Sequence, residues 1–308
     1  MSSEKSAGTV SAPDRLPPAT PSVLQRLALA PRRVRVLGKQ IERARVHSGP
    51  LDAALATIAR DSEIGGPILA GAVAYRLFVF GLPLGFFLVS GLGALERELG
   101  VDGHAAANTV GLAGLITRQV AGDADNSSSW WVALTSFLVL AYVTRVLVRA
   151  LAIVHALAWE RSAAAVTVSL RSLGVFSAAI VGQLTLVAGV GAVREQTPAG
   201  GIAVLPVFVL GVAGLWLAVS LVLPRSNARW SDLVPGALLY GVGILGVQAF
   251  SVYLFGRLLE SKSSTYGTLG AAAAILFALF LMGRVMVGAA VLNATLYERR
   301  SRGVGGTA

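Results

Sequence analysis

The sequence predicts an all-α, polytopic membrane protein with six transmembrane helices and both termini on the cytoplasmic side. Three observations carry this. Hydrophobic residues make up 55% of the 308 residues and charged residues only 14%, an apolar excess that one soluble core of this size does not need. Six apolar stretches reach the roughly 20 residues that cross a bilayer. The basic residues collect in alternate connections between those stretches.

Taken in order, residues 1–22 are rich in Pro, Ser and Ala with no apolar period and read as a disordered tail. Residues 23–64 form a basic cytoplasmic region. From Pro31 onward Val34, Leu37, Ile41 and Ala44 recur at helical spacing while Arg32, Arg33, Arg35, Lys39, Arg43 and Arg45 cover the other faces. This predicts a basic amphipathic helix. It suits either an anionic leaflet, at about 1 kcal/mol per basic residue near the surface, or plain solvent exposure.

The transmembrane domain is expected over residues 65–298, with spans near 66–93, 131–157, 170–192, 201–223, 233–256 and 268–295, followed by a cytoplasmic tail at 299–308. The first span begins too late for a cleaved secretory signal and reads as an uncleaved anchor. With both termini inside, 19 Lys and Arg residues fall in cytoplasmic segments and 5 (Arg97, Arg118, Arg194, Arg257 and Lys262) outside. That asymmetry sets the orientation. It also accounts for most of the net charge of +10, so the charge gives no support to a nucleic-acid partner.

The longest outer connection, about residues 94–130, carries five acids and a central stretch suited to a short amphipathic helix. Trp130 and Trp131 close it as an interfacial aromatic anchor. Arginine outnumbers lysine 23 to 3, which with the Ala, Val, Gly and Leu bias suggests a high-GC bacterial genome.

Apart from the arginines near the cytoplasmic ends of the spans, only two basic residues, Arg76 and Arg284, fall in their hydrophobic interiors, and no Asp or Glu lies deep in any of them. Each Arg at a helix centre costs about 2.5–3.5 kcal/mol on insertion. Side chains lean towards the helix N-terminus, so Arg76 is able to snorkel towards the cytoplasm, whereas Arg284 on an inward-running span leans outward. Both fit structural roles or a buried cationic site for an anionic ligand. Arg145 and Arg149, four apart on one face, fit either positive-inside anchors or the cytoplasmic mouth of a basic pocket. Gln183, Gln248, Asn293, Tyr75 and Tyr240 are candidates for neutral hydrogen bonds or interhelical glue.

Gly236, Gly241, Gly243 and Gly246, with the pair Gly270 and Ala274, permit close helix approach, within one bundle or between copies in a homo-oligomer. Pro83 leaves the Val79 carbonyl without its helical donor, about one turn beyond Arg76.

The sequence points away from an enzyme. His47, His104 and His155 are isolated, so they form neither a metal site nor a triad, and no metal or cofactor is expected. No HExxH, Walker A loop or dinucleotide fingerprint occurs, and the spans hold no paired carboxylates. Cysteine is absent. A missing intramembrane acid weakens a cation- or proton-coupled pump.

The combination of Ala72–Pro83 (AVAYRLFVFGLP), Arg149–Trp159 (RALAIVHALAW), Leu223–Leu239 (LPRSNARWSDLVPGALL) and Ala289–Ala294 (AAVLNA) resembles the YihY/virulence factor BrkB family of bacterial inner-membrane proteins. The likeness runs from about Arg60 to Arg299. It implies a multi-pass protein of the bacterial plasma (inner) membrane with six helices and both termini inside, and suggested family roles in envelope lipid transport and serum resistance. An older ribonuclease BN label finds no acidic or histidine cluster here. Where the family's last span carries an acid, this chain has Val291, which leaves Arg284 without that carboxylate.

The leading expectation is a transporter or flippase-like protein for an anionic, lipid-linked envelope substrate. Arg76 and Arg284 would contact the head group, Arg145 and Arg149 would stand at the cytoplasmic mouth, and Gln183 and Asn293 would add hydrogen bonds. Membrane lipids are the expected partners. The competing expectations are a non-transporting membrane scaffold and a small-anion channel.

Overall fold

A computed structural model describes residues 49–99, 129–196, 200–250 and 256–305. The predicted tail, the basic helix around residues 31–45 and the amphipathic segment of the outer connection lie outside these residues. The chain divides into a unit ending at Asp52 and a unit from Ala53 to Ala308, and the helical bundle belongs to the second.

Seven α-helices and no strand occur among the described residues. They are α1 (Gly49–Glu63), α2 (Gly66–Leu99), α3 (Ser129–Ala158), α4 (Leu170–Gln196), α5 (Gly200–Val222), α6 (Trp230–Phe250) and α7 (Gly256–Gly305). Helices α2 to α7 each contain a stretch long and apolar enough to cross a membrane. Helix α1 is an addition to the sequence-based expectation.

The short Gly65-Gly66 joint explains how α1 turns into α2. Gly65 takes a left-handed backbone (φ 69°), which glycine adopts without a Cβ clash. Helix α3 ends differently. Arg161 N–H donates to Ala156 O at 2.7 Å and Glu160 N–H to Leu157 O at 3.1 Å, a Schellman closure in which Glu160 holds the left-handed position (φ 52°). Ser169 caps α4 by accepting Ser172 N–H at 3.1 Å. At α6, Asp232 reaches back to accept Arg229 N–H at 2.9 Å. These are the side chains that N-terminal turns recruit for their unpaired donors.

The six long helices form a ring in the order α2, α7, α6, α5, α4, α3, each packed firmly on the next except α3 and α4, which meet least. Helix α4 is also the least buried of the six. The α3–α4 seam is therefore the weak closure of the ring. Elsewhere the helices approach closely because small residues face backbone: a Cβ on Gly283 would lie 2.6 Å from Ala70 O of α2, and one on Gly241 would lie 2.5 Å from Val209 O of α5. Of the other fifth-span glycines, Gly236 and Gly243 also sit at close approaches, whereas Gly246 faces open space.

The core is built from Ala70, Val73 and Leu77 of α2, Leu147 and Leu151 of α3, Val212 and Trp216 of α5, Ile244 of α6 and Val287 and Val291 of α7, all buried. Helix α7 is 50 residues long, about 75 Å at 1.5 Å per residue, and holds a stretch long and apolar enough to cross a membrane.

Candidate functional site

One end of the bundle gathers α1, the start of α2, the α3–α4 connection, the α5–α6 connection and the C-terminal part of α7; we call it the α1 end. Arg60 is its hub. With 11% of its side chain exposed, its Nη1 lies 2.7 Å from Glu298 of α7 and its Nη2 3.2 Å from Glu160. Its Nε donates to Ala158 O at 3.0 Å, a carbonyl at the C-terminus of α3 that helix geometry leaves unpaired. Arg300 pairs with Asp232 at 2.6 Å, and Trp159 packs on Tyr297 with ring centroids 5.4 Å apart.

Arg284 is not an isolated cation. Its Nη1 and Nη2 donate to Asp61 Oδ1 and Oδ2 at 3.2 and 2.8 Å, a two-pronged pair between α7 and α1. Three features correct the expectation of an unpartnered Arg284. The neighbouring Gly283 lies against Ala70, one turn inside α2, so Arg284 is within reach of the α1 end. Its long side chain turns to the acid, because Coulomb attraction in a partly dry setting outweighs the usual lean towards the helix N-terminus. Gly66 makes the room: a Cβ there would lie 2.0 Å from Asp61 Oδ1. Val291, where the resemblance expects an acid, is fully buried in the core.

Asn293 is also committed. Its Oδ1 accepts Gly236 N–H at 2.7 Å in a buried joint between α6 and α7. Gln183 lines a cavity of about 210 Å³ at the ring's centre, together with Leu77, Trp216, Tyr240 and Met286.

Arg76 is half-buried on α2 and, among the described residues, meets no hydrogen-bond or ion-pair partner. It stands one turn before Phe80 on the same side of the helix. Phe80, Leu84, Phe87 and Leu88 form one wall of an apolar groove of about 370 Å³, with Phe137, Leu140, Ala141 and Thr144 of α3 and Leu173, Phe176 and Ile180 of α4 as the others. This groove lies at the loose α3–α4 seam. Arg145 is exposed one turn beyond Ala141 of its α3 wall, and Arg149 is exposed a turn further. Both lie on the outside of the bundle, towards the same α1 end as Arg76. Phe80 and Phe176, edge to face at 6.3 Å, belong to both the groove and the central cavity and stand between them.

A larger cleft of about 700 Å³ opens between the α3–α4 and α5–α6 connections. Arg161, Arg225, Ser162, Thr167, Ser169 and Ser226 line it, and among the described residues no acid does. The Arg225 Nη1 is held by the Leu221 carbonyl, and the capped start of α4 adds its partial positive charge. Sequence reading missed this cleft because Arg161 and Arg225 serve equally well as positive-inside anchors. The signal available was the flanking run of serines and threonine.

Among the described residues no group of three or more His, Cys, Asp or Glu is placed to hold a metal ion. Six helices of spanning length and apolarity define the class, a multi-pass membrane protein. Comparison of the chain with family models, with curated proteins and with solved structures finds no match in any of the three.

Proposed function

We propose that the protein is an inner-membrane transporter or flippase-like protein for an anionic lipid, in which the groove at the α3–α4 seam takes an acyl chain and Arg76 meets the head group. The observation that carries this reading is the combination on one face of α2: a half-buried arginine without a partner among the described residues, followed turn by turn by Phe80, Leu84 and Leu88 of an apolar groove. A cation at the mouth of an oily slot matches a phosphate or carboxylate carried on a hydrocarbon chain. Arg145 and Arg149, exposed towards the same end, add attraction for an anionic leaflet. Arg284 leaves the proposed head-group set because Asp61 already neutralises it. The likeness to the YihY/BrkB family and the orientation with both termini inside support the same reading, with the groove mouth near the cytoplasmic leaflet.

Native mass spectrometry of the chain released from its membrane tests this. The wild type is expected to retain anionic lipid in preference to neutral lipid, and the Arg76→Gln variant to lose that preference while inserting normally. Equal retention of both lipid types by the wild type, or an unchanged preference in Arg76→Gln, would reject the head-group role.

A further inference from the structure

Of the five buried side-chain polar atoms without a hydrogen-bond partner among the described residues, three cluster between α3 and α5: His155 Nε2, Trp216 Nε1 and Ser220 Oγ. Their side chains are almost completely enclosed, at 2%, 3% and 1% exposure. The His155 and Trp216 rings lie 6.0 Å apart, and Ser220 follows Trp216 by one turn on the same side of α5.

Their hydrogen-bonding roles follow from their neighbours. His155 Nδ1 sits 3.0 Å from Leu151 O, and a carbonyl only accepts, so Nδ1 carries the proton and Nε2 of the neutral ring presents a lone pair. Trp216 Nε1 only donates. Ser220 does both, and it is unusual here. Thr144, Thr185 and Thr295 each give their hydroxyl to the carbonyl four residues earlier, whereas the Ser220 hydroxyl makes no such bond. One acceptor, one donor and one group that is both are therefore buried close together, through a ring contact and one helix turn, where an unpaired polar atom is costly.

The position of the trio gives it a role. Trp216 and Val219 line the central cavity. Ala152 and Ala156, beside His155 on α3, and Val222 and Leu223, just beyond Ser220 on α5, line the basic cleft at the α1 end. The three polar groups lie between the two spaces.

We propose that His155, Trp216 and Ser220 form an internal hydration site, binding water that bridges the basic cleft to the centre of the bundle. Water donates to His155 Nε2 and accepts from Trp216 Nε1–H, with the Ser220 hydroxyl completing its partners; two to four such partners are what a buried water needs. Ala152 and Ala156 on one side and Val219 on the other flank these polar groups. The hydration site does not depend on the lipid-handling reading.

Hydroxyl-radical footprinting by X-ray radiolysis reads buried water directly. It uses the full chain in lipid nanodiscs, with oxidation mapped by mass spectrometry and corrected for intrinsic reactivity. Trp216 is expected to be oxidised readily despite its burial, at a rate approaching that of the exposed Trp230, while the equally buried but apolar Phe208 stays unmodified. Replacing the hydroxyl in Ser220→Val is expected to remove most of the Trp216 label without changing Trp230. A wild-type Trp216 as silent as Phe208 would overturn the site. Full Trp216 labelling that persists in Ser220→Val would overturn the assignment of its ligands.

Discussion

Asp61 and Arg284 meet across 223 residues of sequence, and that single pair redefines what the arginine does. Its value is testable because the geometry isolates it. Removing one partner of a buried ion pair costs about 3–5 kcal/mol; with a third of the Arg284 side chain exposed, solvent screening lowers the expected loss for Asp61→Ala to about 1–2 kcal/mol. Thermal unfolding in detergent is the measurement, and adding Arg284→Leu to Asp61→Ala should recover part of the loss, since the orphaned charge goes too. Gly66→Ala should cost a similar amount, because its Cβ would occupy the position of the Asp61 carboxylate. Once Asp61→Ala is present, Gly66→Ala should add little. A fully additive result would show that the glycine acts through something other than this pair.

At the scale of the helix, the α6–α7 joint shows how a polar residue inside a bundle is used up. Pro235 brings no N–H to the first turns of α6, and the next donor, Gly236 N–H, is taken by Asn293. A Cβ on Gly236 would also lie 2.3 Å from Ala289 O. The two helices thus touch backbone to backbone, with one amide clasp between them. Asn293→Leu should cost about 1–3 kcal/mol by leaving a buried N–H unpaired, read as a lower melting temperature without a loss of membrane insertion. A melting temperature equal to that of the wild type would show that the Gly236 donor finds another partner. Periodicity identified both helices but not their clasp, because Asn293 looks the same in the sequence whether it faces a ligand or a neighbouring backbone.

For the whole molecule, the arrangement of the ring matters more than the identity of any span. Five of the six neighbour contacts are firm, and the α3–α4 closure is not. The groove beside Arg76 and the cleft between Arg161 and Arg225 flank that seam, the first lined by Leu173 and the second by its neighbour Ser172. Since the chain contains no cysteine, it is a ready background for mapping which side of the membrane the α1 end faces. With both termini inside, Ser162→Cys should react with an impermeant maleimide only after the membrane is opened, and Ser129→Cys should react from outside in intact cells. The reverse pattern would invert the orientation and place the cleft and the mouth of the groove outside the cell.

The division between what was legible and what was not has a physical cause. The number of spans, their alternation and their approximate limits were set by local properties: runs of apolar residues at least as long as the bilayer is thick, and the turn and cap residues between them. Any helix in this chain carries those properties by itself. Neighbours across the ring are different, since spans with similar apolar faces offer no sequence signal of who packs on whom. Only the tertiary structure could decide that Asp61 of a short preceding helix neutralises Arg284, that Asn293 is spent on Gly236, and that Arg76, without a partner among the described residues, stands one turn before Phe80 of a groove. It alone brought His155, Trp216 and Ser220 together, three residues from two helices that the sequence shows as an isolated histidine and two unremarked positions. Hydrophobicity dictates that these helices cross the membrane; the few hydrogen bonds and charges they bring with them acquire a role only once packing decides what each one faces.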